Sequence, residues 1–243
     1  MIKQLGTRLF DLVCPGYCLI CGSSDDGLSI CPGCTRGLTA LAYPACSYCA
    51  APAAPFNLPC TFCRGGDYPF TRAYSLGLYH GLLRDVILAA KRRGGAPLAY
   101  GIGQLVGDVF SRQLARQSYS LVTAAPVHWR RQLQRGFNGA EQIMRGLQSR
   151  LKSTSGVILL VHRRPTQKQA MLPMDQRDRN VSGAFRIRPG RDLAGQRILL
   201  IDDVMTTGET ASELSRVLLK AGASRVDLLV IARGLPVPRE DRN

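Results

Sequence analysis

Apolar and polar positions change their pattern near residue 66. Beyond it, short apolar runs typical of buried strands alternate with stretches whose apolar residues recur at helical spacing. Strands are predicted at 72–79, 120–125, 157–161, 197–201 and 226–232, and helices at 82–91, 98–114, 138–151 and 211–221. Alternation of this kind predicts an α/β fold, with a parallel sheet and helices on both faces. Before residue 66 the apolar runs are too short for such a core, and residues 1–13 predict only a short amphipathic docking helix.

The most informative stretch contains the fourth predicted strand and the turn after it. Residues 198–210 read ILLIDDVMTTGET, so the strand is expected to end at two adjacent carboxylates and a turn rich in hydroxyl groups, before a helix. Ligands of open α/β sheets bind beyond the carboxyl ends of the strands. Backbone N–H groups at a helix start suit a phosphate, whereas carboxylates suit sugar hydroxyls or Mg²⁺. The stretch therefore predicts a site for a phosphorylated sugar.

Two other interpretations of Asp202 and Asp203 stay open at this point. They could form an ordinary strand end, with Asp203 capping a turn, or a phosphatase-type site in which both carboxylates bind Mg²⁺ directly. A Walker A loop is excluded because the chain contains no Gly-x-x-x-x-Gly-Lys-Ser/Thr.

All nine cysteines precede residue 64, and eight of them form four Cys-x-x-Cys pairs. Two such pairs complete a tetrahedral thiolate shell for one structural Zn²⁺. Disulfides are disfavoured without a secretory signal, and a redox role would need a thioredoxin-like surround. We expect one or two zinc ions, with crossed pairing left open. The preferred grouping is Cys18, Cys21, Cys31 and Cys34 on one ion, and Cys46, Cys49, Cys60 and Cys63 on another.

The net charge of +15 favours polyanionic ligands. Residues 109–140 contain five Arg and no acidic residue, and residues 162–185 form a long basic segment expected to act as a flap or as a solvated charged loop. Among the three histidines, His128 is the best functional candidate because it adjoins the arginines, and Trp129 could stack on a base or pack. No apolar run is long enough to span a membrane, so a cytoplasmic protein is expected.

Several motifs in order resemble the competence protein F (ComF-like) family. These are the double zinc ribbon, YHGLLRDVILAAKRRG, APVHWRRQLQRGFNGAEQI, RRPTQKQAMLPMDQRDRNVSGAF and the 198–210 stretch, which itself resembles the phosphoribosyl pyrophosphate (PRPP) motif of type I phosphoribosyltransferases. The resemblance implies a zinc-ribbon domain at 1–66 and a phosphoribosyltransferase domain at 67–243. It also implies a part in natural transformation, with single-stranded DNA and other DNA-uptake proteins as partners.

The resemblance also implies roles for individual residues. Asp202, Asp203 and Arg131 would be catalytic, and PRPP would bind together with Mg²⁺. The expected PRPP-binding residues are Lys91, Val127, His128, Arg130, Arg131, Asp202, Asp203, Val204, Met205, Thr206, Thr207, Gly208, Glu209 and Thr210. Purine-salvage members carry an Asp where this chain has Thr206, so purine salvage is disfavoured and the acceptor stays open.

Two functions remain in competition on this evidence. The first is an enzyme that transfers a phosphoribosyl group from PRPP. The second is a single-stranded DNA-binding adaptor whose PRPP site is a sensor or a relic. A zinc-ribbon transcription factor is disfavoured because most of the chain is an α/β domain without a helix-turn-helix pattern.

Overall fold

A computed structural model of the protein describes residues 16–24, 29–40, 42–53, 59–63, 68–151, 154–164 and 181–235. The predicted N-terminal helix, Cys14, the predicted domain boundary near residue 66 and the middle of the basic 162–185 segment lie outside these ranges. No helix in the described ranges has the length and apolar character needed to cross a membrane.

The strands of the described chain form one parallel sheet and one antiparallel pair. They are β1 (Ala73–Leu78), β2 (Leu121–Ala124), β3 (Ser155–Gly156), β4 (Leu160–His162), β5 (Phe185–Ile187), β6 (Arg197–Met205) and β7 (Arg225–Arg233). The parallel sheet has the order β1-β7-β6-β2-β3, and β4 pairs with β5. In the central strands β6 and β7, Leu199, Leu200 and Leu228 are fully buried, as expected for strands covered on both faces.

Helices connect and cover these strands. They are α1 (Pro32–Thr39), α2 (Gly81–Ala90), α3 (Ala96–Ala115), α4 (Trp129–Arg135), α5 (Gly139–Arg150) and α6 (Glu209–Lys220). Leu214 and Leu218 of α6 are fully buried, as the helical spacing predicted. The backbones of α3 and α5 lie very close together. Glycine at position 103 permits this approach, since a Cβ there would lie 2.1 Å from the carbonyl oxygen of Ile143. The predicted α/β fold with a parallel sheet and helices is confirmed.

Three local predictions were wrong. The strand predicted at 157–161 is two short strands, β3 and β4, because Leu159 donates its N–H to the Thr123 hydroxyl (3.1 Å) as the chain leaves the sheet. The basic segment after β2, for which the pattern predicted neither a helix nor a strand, contains α4, which begins beyond His128. Strand β6 does not end at the two carboxylates but continues to Met205, because β7 still pairs with it there.

The cysteine-rich part of the chain packs on the parallel sheet. It contains α1 and two isolated antiparallel bridges, Tyr17 with Ser24 and Ala45 with Pro52. The Ala73 amide at the start of β1 donates to the Ser47 carbonyl at 3.0 Å. The segment between Cys46 and Cys49 is therefore hydrogen-bonded directly to the sheet.

Candidate functional site

Asp202 and Asp203 lie where β6 extends beyond its neighbour β2. Ala124, the last residue of β2, pairs with Ile201, whereas Asp202 pairs only with Val230 on the β7 side. The two carboxylates therefore occupy an open position at the carboxyl edge of the sheet, which is where ligands bind in folds of this class.

The two carboxylates have different electrostatic environments. Asp203 forms an ion pair with Lys91 at 2.8 Å. Asp202 accepts a hydrogen bond from the Asp203 amide at 2.8 Å. Burial and the neighbouring Asp203 charge raise the pKa of Asp202 to about 7, although that amide and Lys91 oppose the rise. The ionised form of Asp202 is therefore incompletely compensated, and hydroxyl donors or a cation would stabilise it.

A cleft opens beside these carboxylates and brings together side chains that are distant in the sequence. Eight of the predicted site residues line it, namely Lys91, Val127, His128, Arg131, Asp202, Asp203, Val204 and Thr210. Further lining comes from residues outside the predicted set, including Arg135, Asn138, His162, Val181 and Phe185. The cleft thus combines carboxylates from β6 with cations from α2 and α4.

The other predicted site residues do not line this cleft. Arg130 is exposed, with its guanidinium carbon 5.3 Å from the centre of the Trp129 ring. Met205 is buried and Thr206 is exposed. Thr207 and Glu209 line a separate depression next to Tyr68.

Residues 206–210, here called the 206–210 turn, lead from β6 into α6. Gly208 is the residue before the helix and has φ +88°, where a side chain would be strained and a Cβ would lie 2.7 Å from the Tyr68 ring. The Tyr68 hydroxyl donates to the Thr207 carbonyl at 3.3 Å. Tyr68 therefore supports the turn from the side of the cysteine-rich region.

Short helix α4 supplies the cationic wall of the cleft. His128 is buried before the helix, and its Nδ1 accepts a hydrogen bond from the Arg130 amide at 3.3 Å, so it orients the helix start. Burial, together with the nearby Arg135 charge, lowers the pKa of Arg131, and Asp203 opposes this. An anion in the cleft would offset the mutual repulsion of the two arginines.

Asn138 and His162 are structural parts of the cleft that were not predicted as site residues. The Asn138 amide donates to the Ala125 carbonyl at 3.0 Å, while its oxygen accepts from the Ala140 amide at 3.1 Å. The available signal was the predicted start of a helix at residue 138. Burial lowers the pKa of His162, whose Nε2 lies 3.3 Å from the Pro126 carbonyl oxygen. No spacing in the sequence indicated that His162 would lie beside His128, with ring centres 5.6 Å apart.

Eight thiols form two groups away from this cleft. The first cluster is Cys18, Cys21, Cys31 and Cys34, and the second cluster is Cys46, Cys49, Cys60 and Cys63. Sulfur separations of 3.8 Å in the first and of 3.6 and 3.7 Å in the second match the roughly 3.8 Å edge of a tetrahedral zinc–thiolate site. Both clusters therefore fit Zn²⁺, and the groups are those that the spacing predicted.

One thiol of each cluster can supply a thiolate near neutral pH, whereas burial raises the pKa of Cys34 and of Cys49. Burial opposes ionisation of Cys18, but hydrogen bonds from the Cys31, Cys21 and Ile20 amides outweigh it and lower its pKa to about 6. Burial also opposes ionisation of Cys60, where amide hydrogen bonds lower the pKa to about 7. Each cluster thus contains a thiolate that is ready to bind a metal ion.

Comparison with known proteins gives one family match and several related sequences. Residues 133–242 match the family model described as the phosphoribosyl transferase domain. It is 28% identical over 231 residues to DNA utilization protein YhgH of Escherichia coli (strain K12), covering 92% of this chain and 100% of that protein. It is 24% identical over 211 residues to Competence protein F of Haemophilus influenzae, covering 84% of this chain and 90% of that protein. The resemblance to the competence protein F family is confirmed.

A solved structure also resembles the chain. A hypoxanthine phosphoribosyltransferase from Staphylococcus aureus matches with a TM-score of 0.38 and 15% identity, covering 58% of this chain and 76% of that one.

The cleft uses residues on both sides of the start of the family match. Asp202, Asp203, Thr210 and Arg135 lie within residues 133–242, whereas Lys91 and Arg131 precede them. Helix α2 and the start of α4 therefore complete the cleft from outside the matched segment.

Proposed function

We propose that the chain binds PRPP, together with Mg²⁺, in the cleft beside Asp202 and Asp203. The observation that carries this proposal is the incompletely compensated carboxylate of Asp202 next to Lys91 and Arg131. A ligand that fits must donate hydrogen bonds on one side and accept them from cations on the other. PRPP has both features, because its ribose carries hydroxyls and its pyrophosphate is strongly anionic.

Each part of the ligand has a proposed position. The ribose hydroxyls contact Asp202 and Asp203, and the 5′-phosphate lies at the 206–210 turn, where the start of α6 offers free N–H groups. The pyrophosphate lies against Val127–Arg131. Because Lys91 is already 2.8 Å from Asp203, it would contact an anionic ligand only by sharing or leaving that ion pair.

The same residues suit phosphoribosyl transfer. As pyrophosphate leaves, negative charge grows on its oxygens, and the Arg131 guanidinium is positioned to stabilise it. Mg²⁺ held by pyrophosphate oxygens and the nearby carboxylates would supply further charge neutralisation. Thr206 offers no carboxylate toward an acceptor base, so we propose an acceptor other than the salvage purines.

Isothermal titration calorimetry with PRPP and Mg²⁺ tests the proposal. The wild-type protein should bind, and the double variant Asp202→Asn with Asp203→Asn should lose at least tenfold in affinity, since about 1.4 kcal/mol corresponds to a factor of ten. Asp85→Asn is the matched control, because Asp85 is an exposed acid whose one ion pair among the described residues is with Arg84. Absence of heat with the wild-type protein, or equal affinity in the double variant, would contradict the proposal.

A surface on α4 favours a second function, the binding of single-stranded DNA. Trp129 is 57% exposed and Leu133 is 74% exposed, on a helix that also carries Arg130, Arg131 and Arg135. Exposed aromatic rings among cations form stacking platforms for unpaired bases. Relatives named for DNA utilization and competence support a role with DNA in this protein, and a cytoplasmic location is part of the same proposal.

Fluorescence anisotropy with a labelled thymidine oligonucleotide tests this second function. Affinity should fall steeply as salt rises, because several phosphates release counterions on binding. Trp129→Ala should weaken binding by about tenfold, a typical value for loss of one stacked base. Tyr48→Ala is the control, because it removes another half-exposed aromatic ring, which lies between Cys46 and Cys49 of the second cluster. Equal losses in the two variants would argue against a specific surface on α4.

A further inference from the structure

Arg233, the last residue of β7, is buried between the second cluster and the 206–210 turn. It is 2% exposed. Its Nε donates to the Cys49 carbonyl at 2.9 Å, and its Nη1 donates to the Met205 carbonyl at 3.0 Å and to the Thr206 carbonyl. One guanidinium therefore joins a zinc-ligand residue to the end of β6 and the start of the turn.

The charge of Arg233 needs an explanation because a buried cation is costly unless it is compensated. Within the described ranges, no carboxylate lies within ion-pair distance of it. The second cluster lies beside it, and four thiolates around one Zn²⁺ carry a net charge of −2. A metal-loaded cluster would thus supply the compensating charge, and the Cys49 carbonyl supplies a hydrogen-bond acceptor.

Other contacts hold the turn from the same side. Tyr68 donates to the Thr207 carbonyl and lies against Gly208. The Gly234 amide donates to the Met205 carbonyl at 2.8 Å, which fixes the end of β6 next to the arginine. The backbone that would present N–H groups to a phosphate is therefore supported from behind by Arg233, Tyr68 and Gly234, and Arg233 also bonds to the second cluster.

We propose that Arg233 is a positioning residue that couples the second cluster to the 206–210 turn, so that the metal in this cluster raises the affinity of the cleft for PRPP. This inference rests on the proposed function for its ligand. Coupling between two sites is reciprocal, so PRPP must then tighten the hold of the second cluster on its metal by the same factor.

The reciprocal effect can be measured on the wild-type, zinc-loaded protein. Equilibrium competition with a chelator should show two Zn²⁺ per chain, and saturating PRPP with Mg²⁺ should raise the apparent affinity for one of them by about tenfold, a typical coupling. The other ion, in the first cluster, is the internal control. If PRPP binds but changes neither zinc affinity, the coupling is refuted.

Two arginines on the same strand provide matched variants. Arg233→Lys keeps the charge but cannot donate to the Cys49 and Thr206 carbonyls at once, so PRPP affinity should fall about tenfold and the effect of PRPP on zinc affinity should disappear. Arg225→Lys, at the opposite end of β7, should leave both unchanged. Wild-type PRPP affinity in Arg233→Lys would overturn the assignment.

Hydrogen exchange separates this inference from the proposed function. Removing the Zn²⁺ of the second cluster should speed amide exchange in residues 206–210 by at least tenfold while residues 199–201 of the sheet stay protected. If the wild-type protein does not bind PRPP, the proposed function fails, and this exchange result alone decides whether the second cluster orders the turn. Unchanged exchange in residues 206–210 would reject the coupling.

Discussion

Replacing Asp202 with Asn should stabilise the protein at neutral pH while it weakens the site. Asn has nearly the same shape and still accepts the hydrogen bond from the Asp203 amide, but it carries no charge. The wild-type carboxylate is held where burial and the Asp203 charge raise its pKa from an ordinary 3.8 to about 7. Its ionisation therefore opposes folding.

The size and pH range of this effect follow from the same pKa. The penalty is absent below pH 4, grows as pH rises toward the folded pKa near 7 and is complete above it. Each tenfold change in the acid constant is worth about 1.4 kcal/mol, which sets an upper bound of about 4 kcal/mol. Because the side chain still meets solvent in the cleft, we expect Asp202→Asn to be more stable than the wild type by about 2 kcal/mol at pH 8.

Urea unfolding at constant Zn²⁺, followed by circular dichroism, measures this difference at several values between pH 5 and pH 8. The advantage of Asp202→Asn should increase with pH, whereas the exposed control Asp85→Asn should differ from the wild type by less than about 0.5 kcal/mol throughout. A variant less stable than the wild type at pH 8, or an advantage that does not change with pH, would refute the reasoning. PRPP with Mg²⁺ should stabilise the wild type much more than the variant.

Three further results are expected. Gly146→Ala should lower the free energy of unfolding by about 1–3 kcal/mol, because its Cβ would lie 2.0 Å from the Tyr100 carbonyl oxygen. The control Gly139→Ala places its Cβ in open space, so it should change the free energy by less than about 0.5 kcal/mol in the same urea titration. Asp227→Asn should cost about 3 kcal/mol, because it removes the fully buried anion that pairs with the partly buried Arg225 and accepts a hydrogen bond from Tyr119. A loss under about 1 kcal/mol would contradict this. Elemental analysis should find two Zn²⁺ per chain in the wild type and one in Cys49→Ser. A zinc content that is the same in both proteins would exclude the second cluster as a zinc site.

The sequence was sufficient for the parts of the fold that depend on local pattern. Continuous apolar runs indicated β6 and β7, and apolar residues at helical spacing indicated α6. These patterns identify a strand or a helix whichever element packs against it. The cysteine groups were predictable for a similar reason, since Cys-x-x-Cys spacing brings two ligands together without help from the rest of the chain.

Features that depend on contacts between distant segments were not predictable. The length of β6 beyond Ile201 is set by its partner β7, and the β4–β5 pair joins segments separated by more than twenty residues. The glycines of α3 are poor helix formers that disfavour a helix locally, yet Gly103 allows α5 to approach. Within the site, Lys91 was predicted as an anion contact, whereas its partner Asp203 became evident only from the folded chain.

Two carboxylates on neighbouring strands show how the structure separates a functional group from a structural one. Asp227 is fully buried on β7, receives two hydrogen bonds of 2.9 Å from Arg225 and one of 2.5 Å from Tyr119, and is therefore fully compensated within the protein. Asp202 lies on β6, toward the opposite, carboxyl end of the same sheet. Within the described chain, its one hydrogen bond comes from the Asp203 amide. Both would look alike in the sequence as acids within apolar strands. A carboxylate left incompletely compensated at this edge of the sheet is stabilised further by hydroxyl donors or a cation, and this is the physical reason to propose the cleft, rather than the Asp227 pair, as the binding site.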